Sequence, residues 1–305
     1  MNLRRLKYFV KIVDIGSLTQ ASEVLHIAQP ALSQQLATLE GEFKQQLLVR
    51  TKRGVTPTEA GKVLYRHAQI ILRQFEQAQS DVRNSGRALS GQVSVGLAPG
   101  TAASALALPL LKTVRARHPD VVLYLNENFG TTLSELVSNG RMDMAVLYGG
   151  GSVGQGLSFE PLLTEELFVV APEGLMAQHD EIALAQLRDL DLLLPRSHNY
   201  LRKYVDDAFA SLQMSPRVVA EIESAATLSA AVATGVGATV LPVSAARAVA
   251  ASIQARLARI VSPSIEVPLA LCVSDHLPLS EPAQAVKSIV LELVDNLELD
   301  VAPLP

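Results

Sequence analysis

Apolar residues recur at helical spacing from the start of the chain. Leu3, Leu6, Phe9, Val10 and Val13 predict a helix over residues 3–15, ended by Gly16. Ser17 is followed three positions later by Gln20, a capping-box spacing, and a second helix over 18–25 turns Leu18, Ala21, Val24 and Leu25 inward. After the short turn His26-Ile27-Ala28, a third helix over 29–40 gathers Leu32, Leu36 and Leu39 into one stripe. Gln29, Ser33, Gln34 and Thr38 fall outside that stripe. Pro30 lies in the first turn, where its missing N–H costs nothing. Helix, short turn, helix is a helix-turn-helix. Residues 47–50 then read as a strand, Thr51-Lys52-Arg53-Gly54 as a tight basic turn and Val55-Thr56 as the return strand, a hairpin wing.

From Thr58 a long helix is predicted to about residue 89, with Leu64, Ala68, Ile71, Phe75, Ala78 and Val82 spaced 4, 3, 4, 3, 4. That is an a/d seam, which needs a partner helix. Gly86 and Ser90-Gly91 mark a hinge. The remainder alternates short apolar strands with helices. Strands are expected at 92–97, 121–125 and 142–147, with helices at 102–117 and 132–138 between them. A second set begins with a strand at 162–170 and continues through strands at 192–194, 218–222 and 238–241 and helices at 201–212 and 228–233. A strand near 267–273 returns to the first lobe. The β-α-β order argues for parallel sheets, and two α/β lobes with a cleft between them suit a small ligand.

Composition sharpens the division. The whole chain has a net charge of −4, yet residues 1–90 hold 13 Lys+Arg against 7 Asp+Glu, and the remainder 13 against 23. A basic first third joined to an acidic remainder is the asymmetry of a protein with one end on nucleic acid. No run of 18 apolar residues predicts a membrane span. Arg4, Arg5, Lys7 and Lys11 interrupt any signal-peptide core. Cys272, the one cysteine, lies in an apolar strand and reads as a packed thiol in a reducing cytoplasm. The six histidines, at 26, 67, 118, 179, 198 and 276, form no ligand spacing, so no metal is expected. Gly235-Val236-Gly237 reads as a turn, not a dinucleotide loop, and no nucleophile elbow or phosphate loop is present. No cofactor and no enzymatic activity are expected.

The off-stripe side chains of the third helix are uncharged donors and acceptors. Gln pairs bidentately with adenine and Ser with either kind of base in a major groove. Gln29, Ser33 and Gln34 are the candidates for base edges. Thr19, Pro30, Gln35, Arg50, Lys52 and Arg53 are candidates for backbone or sugar, where cations around the wing would meet phosphate.

The motifs Leu6-x-x-Phe9, Gly16-Ser17-Leu18-Thr19-Gln20-Ala21, Ala28-Gln29-Pro30-Ala31-Leu32-Ser33-Gln34-Gln35, Leu39-Glu40 and Leu48-x-Arg50-x-x-x-Gly54-Val55-x-x-Thr58-x-Ala60-Gly61 resemble the LysR-type transcriptional regulators in order and spacing. Ala28 departs from the family, where a Ser cap is usual. The resemblance implies an α/β protein overall. It would have a winged helix-turn-helix at 1–58, a linker and dimerisation helix at 59–90, and a regulatory domain at 91–305 resembling periplasmic solute-binding proteins. Lobe I would cover about 91–161 and 266–305, and lobe II about 162–265. Implied partners are double-stranded operator DNA, a second copy in a homodimer or homotetramer, RNA polymerase, and a small-molecule effector. Within the family the likeness is to regulators of nitrogen assimilation genes. The alternative is control of another metabolic pathway through a coinducer. Thr101, Thr131, Asn199, Tyr200 and Thr227 match the effector-contacting loops by position. No Arg or Lys stands beside Thr101, which weakens the case for a carboxylate effector. The rival classes are a solute-binding protein or enzyme, which lacks a catalytic constellation, and an architectural DNA binder, which would need an apolar wedge.

Overall fold

The computed structural model describes residues 2–51, 54–84, 88–149, 156–175, 180–253 and 255–296. Contacts divide the chain into two compact units, Met1–Gly86 with Asn139–Arg141, and Arg87–Ser138 with Met142–Pro305.

The first unit contains α1 (Leu3–Ile15), α2 (Leu18–Val24), α3 (Gln29–Phe43), the hairpin strands β1 (Leu48–Thr51) and β2 (Gly54–Pro57), and α4 (Glu59–Asn84). Local chemistry sets the boundaries. The Asn2 side chain accepts from the Arg5 N–H at 2.9 Å to start α1, and Gly16 ends it in the left-handed region at φ 71°. Ser17 Oγ accepts from the Gln20 N–H at 3.4 Å to start α2. The apolar stripes meet in one core of Leu6, Phe9, Ile12, Leu32, Leu36 and Leu39, and the small Ala21 is fully buried where α2 packs. The hairpin is fastened to this core through its return strand. The Val55 N–H donates to the Gly16 carbonyl at 2.8 Å, and a Cβ on Gly54 (φ +127°) would stand 2.5 Å from that same oxygen. Only glycine fits there.

The Thr58 hydroxyl caps α4 by accepting from the Gly61 N–H at 3.0 Å. The helix is described to Asn84, and residues 88–90 are not helical, so it stops short of the expected 89. Its seam is divided. Leu64 and Ala68 are buried in the first unit's own core, and Ile71 packs against it. Phe75 and Val82 are 43% and 79% exposed, and Ala78 is exposed with them. The expectation that all six residues face a partner helix fails for Leu64 and Ala68, because α1 and the hairpin already cover that half of the stripe.

The second unit runs β3 (Gly91–Leu97), α5 (Ala102–Arg117), β4 (Val121–Glu127), α6 (Gly130–Ser138), β5 (Met144–Tyr148), β6 (Leu157–Ala171), β7 (Glu181–Ala183), β8 (Leu192–Leu194), α7 (Tyr200–Ser211), β9 (Val218–Glu221), α8 (Ala225–Ala233), β10 (Thr239–Pro242), α9 (Val243–Ile253), β11 (Arg256–Val261), β12 (Glu266–Ser274) and α10 (Glu281–Asp295). The main sheet has the order β4-β3-β5-β12-β6-β11-β7, and β10 also pairs with β6. The β3 strand is parallel to β4 and β5, as the β-α-β pattern requires, and β12 returns antiparallel between β5 and β6. The α5 and α10 helices share one apolar core with Val95, Val146 and Leu269. The α6 helix covers the other face, over Ala145, Leu147 and Cys272. Strands covered on both sides are apolar throughout, which is why β5 is buried along its whole length.

Among the boundaries that differ from expectation, that of β6 bears most on the fold. The β6 strand begins at Leu157, five residues before the predicted 162, and serves both lobes. Its first part pairs with β12 through Glu166, and Leu167–Ala171 pairs with β10 and β11. Pro161 and Glu160 read locally as a break, but the long-range pairing with β12 carries the strand through them.

Candidate nucleic-acid interface and inter-lobe cleft

The N-terminus of α3 is open. Ala28 makes no side-chain cap, Pro30 occupies the first turn, and Gln29, Pro30 and Gln34 are exposed. Its first N–H groups therefore lack a side-chain acceptor, as the Ala28 departure predicts. Ser33 is half-buried, and the Arg50 guanidinium donates to its Oγ at 2.9 Å. An arginine from the wing strand thus reaches the polar face of α3. Gln35 is engaged differently. Arg5 Nε donates to its Oε1 at 3.0 Å, and Arg5 Nη1 donates to Glu42 at 2.5 Å. This ties α1 to the far side of α3. Thr19 is exposed at the start of α2. Lys52 and Arg53 lie outside the described residues.

In the second unit a cavity of about 100 Å³ opens between the lobes, at the ends of β3 and β5 on one side and of β8 and β9 on the other. Thr101, Asn199 and Tyr200 line it. Thr131 and Thr227 do not. The physical reason is helix phase. The α6 helix starts at Gly130, so Thr131 is already inside its first turn. The α8 helix starts after Ser224, whose Oγ accepts from the Thr227 N–H at 3.3 Å. Gly130 and Ser224 line the cleft in their place. A Cβ on Gly130 would sit 2.9 Å from the Tyr200 ring, so the first lobe's helix and the second lobe's tyrosine meet across the cleft.

Three polar lining residues, Thr101, Asn199 and Ser224, are engaged as helix caps. Thr101 Oγ1 accepts from the Ala103 N–H at 3.0 Å and donates to the Ala98 carbonyl at 2.7 Å. Asn199 Oδ1 accepts from the Leu201 N–H at 2.9 Å. Among the described lining residues the one charged side chain is Glu223, and there is no Lys or Arg.

Two family models cover almost all of this architecture. Residues 3–62 match the bacterial regulatory helix-turn-helix protein, lysR family, and residues 86–295 match the LysR substrate binding domain. The chain belongs to the LysR family of bacterial regulators. It is similar to the nitrogen assimilation regulatory protein nac of Klebsiella aerogenes, at 56% identity over 98% of this chain and 97% of that one. The protein of the same description from Escherichia coli is 54% identical over 97% and 96%. Among solved structures, a full-length OxyR variant from Pseudomonas aeruginosa superposes with a TM-score of 0.70 at 24% identity, covering 98% and 95% of the two chains.

Two features of this LysR-family chain escape a reading of its residues one segment at a time. One is the Arg5–Gln35–Glu42 tie. The other is Glu40, whose Oε1 accepts from the N–H groups of Leu47 (2.8 Å) and Leu48 (3.2 Å), holding the wing strand against the end of α3. Each joins residues far enough apart that no local spacing signals it. The Leu39-Glu40 pair does stand in the family motif.

Proposed function

We propose that this LysR-family chain is a sequence-specific DNA-binding transcriptional regulator of nitrogen assimilation genes, working in the cytoplasm as a homodimer or homotetramer. The observation that carries the reading is the open, uncharged polar N-terminal face of α3 within a basic first unit. The regulatory helix-turn-helix match and the high identity to the nac proteins support it. In this reading Gln29, Ser33 and Gln34 approach base edges in the major groove. Thr19, Pro30, Arg50, Lys52 and Arg53 contact the DNA backbone. Gln35 acts through Arg5 by fixing α3 on α1. The exposed half of the α4 seam, Phe75, Ala78 and Val82, takes the same half of a second copy. Two reading heads then address half-sites about one helical turn apart or a multiple of that. RNA polymerase is the partner through which bound protein would act on transcription.

The cleft fits this reading only for a small effector. A volume of about 100 Å³ without a cation suits a small uncharged solute better than a carboxylate. The direct test is binding to operator variants. Gln29→Ala should relax base preference at one position, at a cost of about 1–3 kcal/mol there. Arg53→Ala should weaken all sequences alike and flatten the salt dependence by about one phosphate contact. The reverse pattern would overturn the roles. Genome-wide mapping of bound DNA under nitrogen limitation should recover promoters of nitrogen-metabolism genes.

A further inference from the structure

Glu165 sits on β6 where that strand leaves one lobe for the other. Its backbone pairs with Val267 of β12, while Leu167, two residues on, pairs with Pro242 of β10. Strand alternation puts its side chain on the face of Leu167 and Val169, and the residue is 1% exposed. A buried carboxylate is costly unless its oxygens are fully occupied. Among the described residues no cation pairs with it. Instead Oε2 accepts from the Ala102 N–H at 3.2 Å and from the Tyr148 hydroxyl, and Oε1 accepts from the Ser244 N–H at 3.0 Å.

The donors come from both lobes. Ala102 is the first residue of α5 in the first lobe, and Ser244 the second residue of α9 in the second. Both N–H groups belong to the set that a helix leaves unsatisfied, and both helices aim the positive end of their dipole at the same carboxylate. Burial first, then the Glu165 charge and hydrogen bond, push the Tyr148 phenol far above its ordinary range, so it stays a donor. Thr101 and Tyr148 line the cleft; Glu165 lies behind them.

We propose that Glu165 is a built-in anion that fastens the two lobes to each other through the N-termini of α5 and α9. It fills from within the position to which a free carboxylate would otherwise be drawn. This goes beyond the DNA-binding reading and does not depend on it. The atoms removed by Glu165→Ala are those of acetate, so the variant should expose a cradle of acetate's size and charge.

The test uses full-length protein without DNA. Thermal unfolding of Glu165→Ala should begin several degrees below wild type. Sodium acetate should restore at least half of that loss where equal sodium chloride does not, and wild type should gain nothing specific from acetate. Unfolding at the wild-type temperature, or acetate acting no better than chloride on the variant, would overturn the proposal. If the alanine variant yields no folded protein, Glu165→Gln decides, because its amide turns a donor towards an N–H. Amide hydrogen exchange should then quicken by about tenfold or more at both Ala102–Ser104 and Ser244–Ala246, with β3 and β4 unchanged. Quickening at one helix only, or at neither, would contradict the claim.

Discussion

The N-terminus of α3 and the helix N-termini around the cleft are the same physical object, treated in opposite ways. Each is a set of backbone N–H groups at the positive end of a dipole. At α3 the cap position is Ala28, with nothing to offer, and Gln29 and Pro30 stand exposed on a first third that is basic as a whole, with 13 Lys+Arg against 7 Asp+Glu over residues 1–90. At α5 the groups are taken by Thr101 and Glu165, at α7 by Asn199, at α8 by Ser224 and at α9 by Glu165. An end left bare in a basic unit is available to phosphate. The four ends with side-chain acceptors in the acidic second unit use those groups to hold the fold together. The difference indicates which part of the chain meets a polyanion and which is built to keep its own geometry.

The largest break in that comparison comes from removing the support under α3. Phe9→Ala should cost about 3–5 kcal/mol in the first unit alone, seen by denaturant unfolding as an early transition that leaves the second unit's transition in place. Next is the exposed half of the α4 seam. Phe75→Asp with Val82→Asp should convert the oligomer to single chains in light scattering and lower operator affinity by about 10²-fold, through loss of linked heads.

How much of this was legible in the residues follows the range of each signal. Helices α1, α2, α3 and α5 could be read from 3.6-residue spacing and their end residues, and the chain order of strands implied the parallel β3, β4 and β5. The α4 seam was visible as a stripe, but spacing cannot say that Leu64 and Ala68 are covered from within while Phe75 and Val82 are not. Thr131 and Thr227 were misassigned to the cleft because helix starts shift by a residue or more when caps such as Ser224 are overlooked. Glu165 sits in an apolar strand on the buried side of the alternation, a signal in plain sight. Its backbone partners, however, lie 63 and 79 positions away in sequence and could not be named.

Smaller effects sharpen the contrast between bare and filled ends. Ala28→Ser should stabilise the first unit by about 1 kcal/mol and Thr101→Ala should destabilise the second by a similar amount, both read from denaturant midpoints. The smallest effect concerns Cys272. Burial pushes its thiol up to about 12, so at pH 8 the native chain should resist a thiol reagent that labels the unfolded chain at once.

The most direct test of the bare α3 end as a reading head is a binding titration of full-length protein on its operator and on a scrambled duplex of equal length, at matched salt. The account predicts a preference of about 10³-fold or more for the operator, which Gln29→Ala reduces by about 5–150-fold. Equal affinity for both duplexes, or a preference untouched by Gln29→Ala, would contradict it.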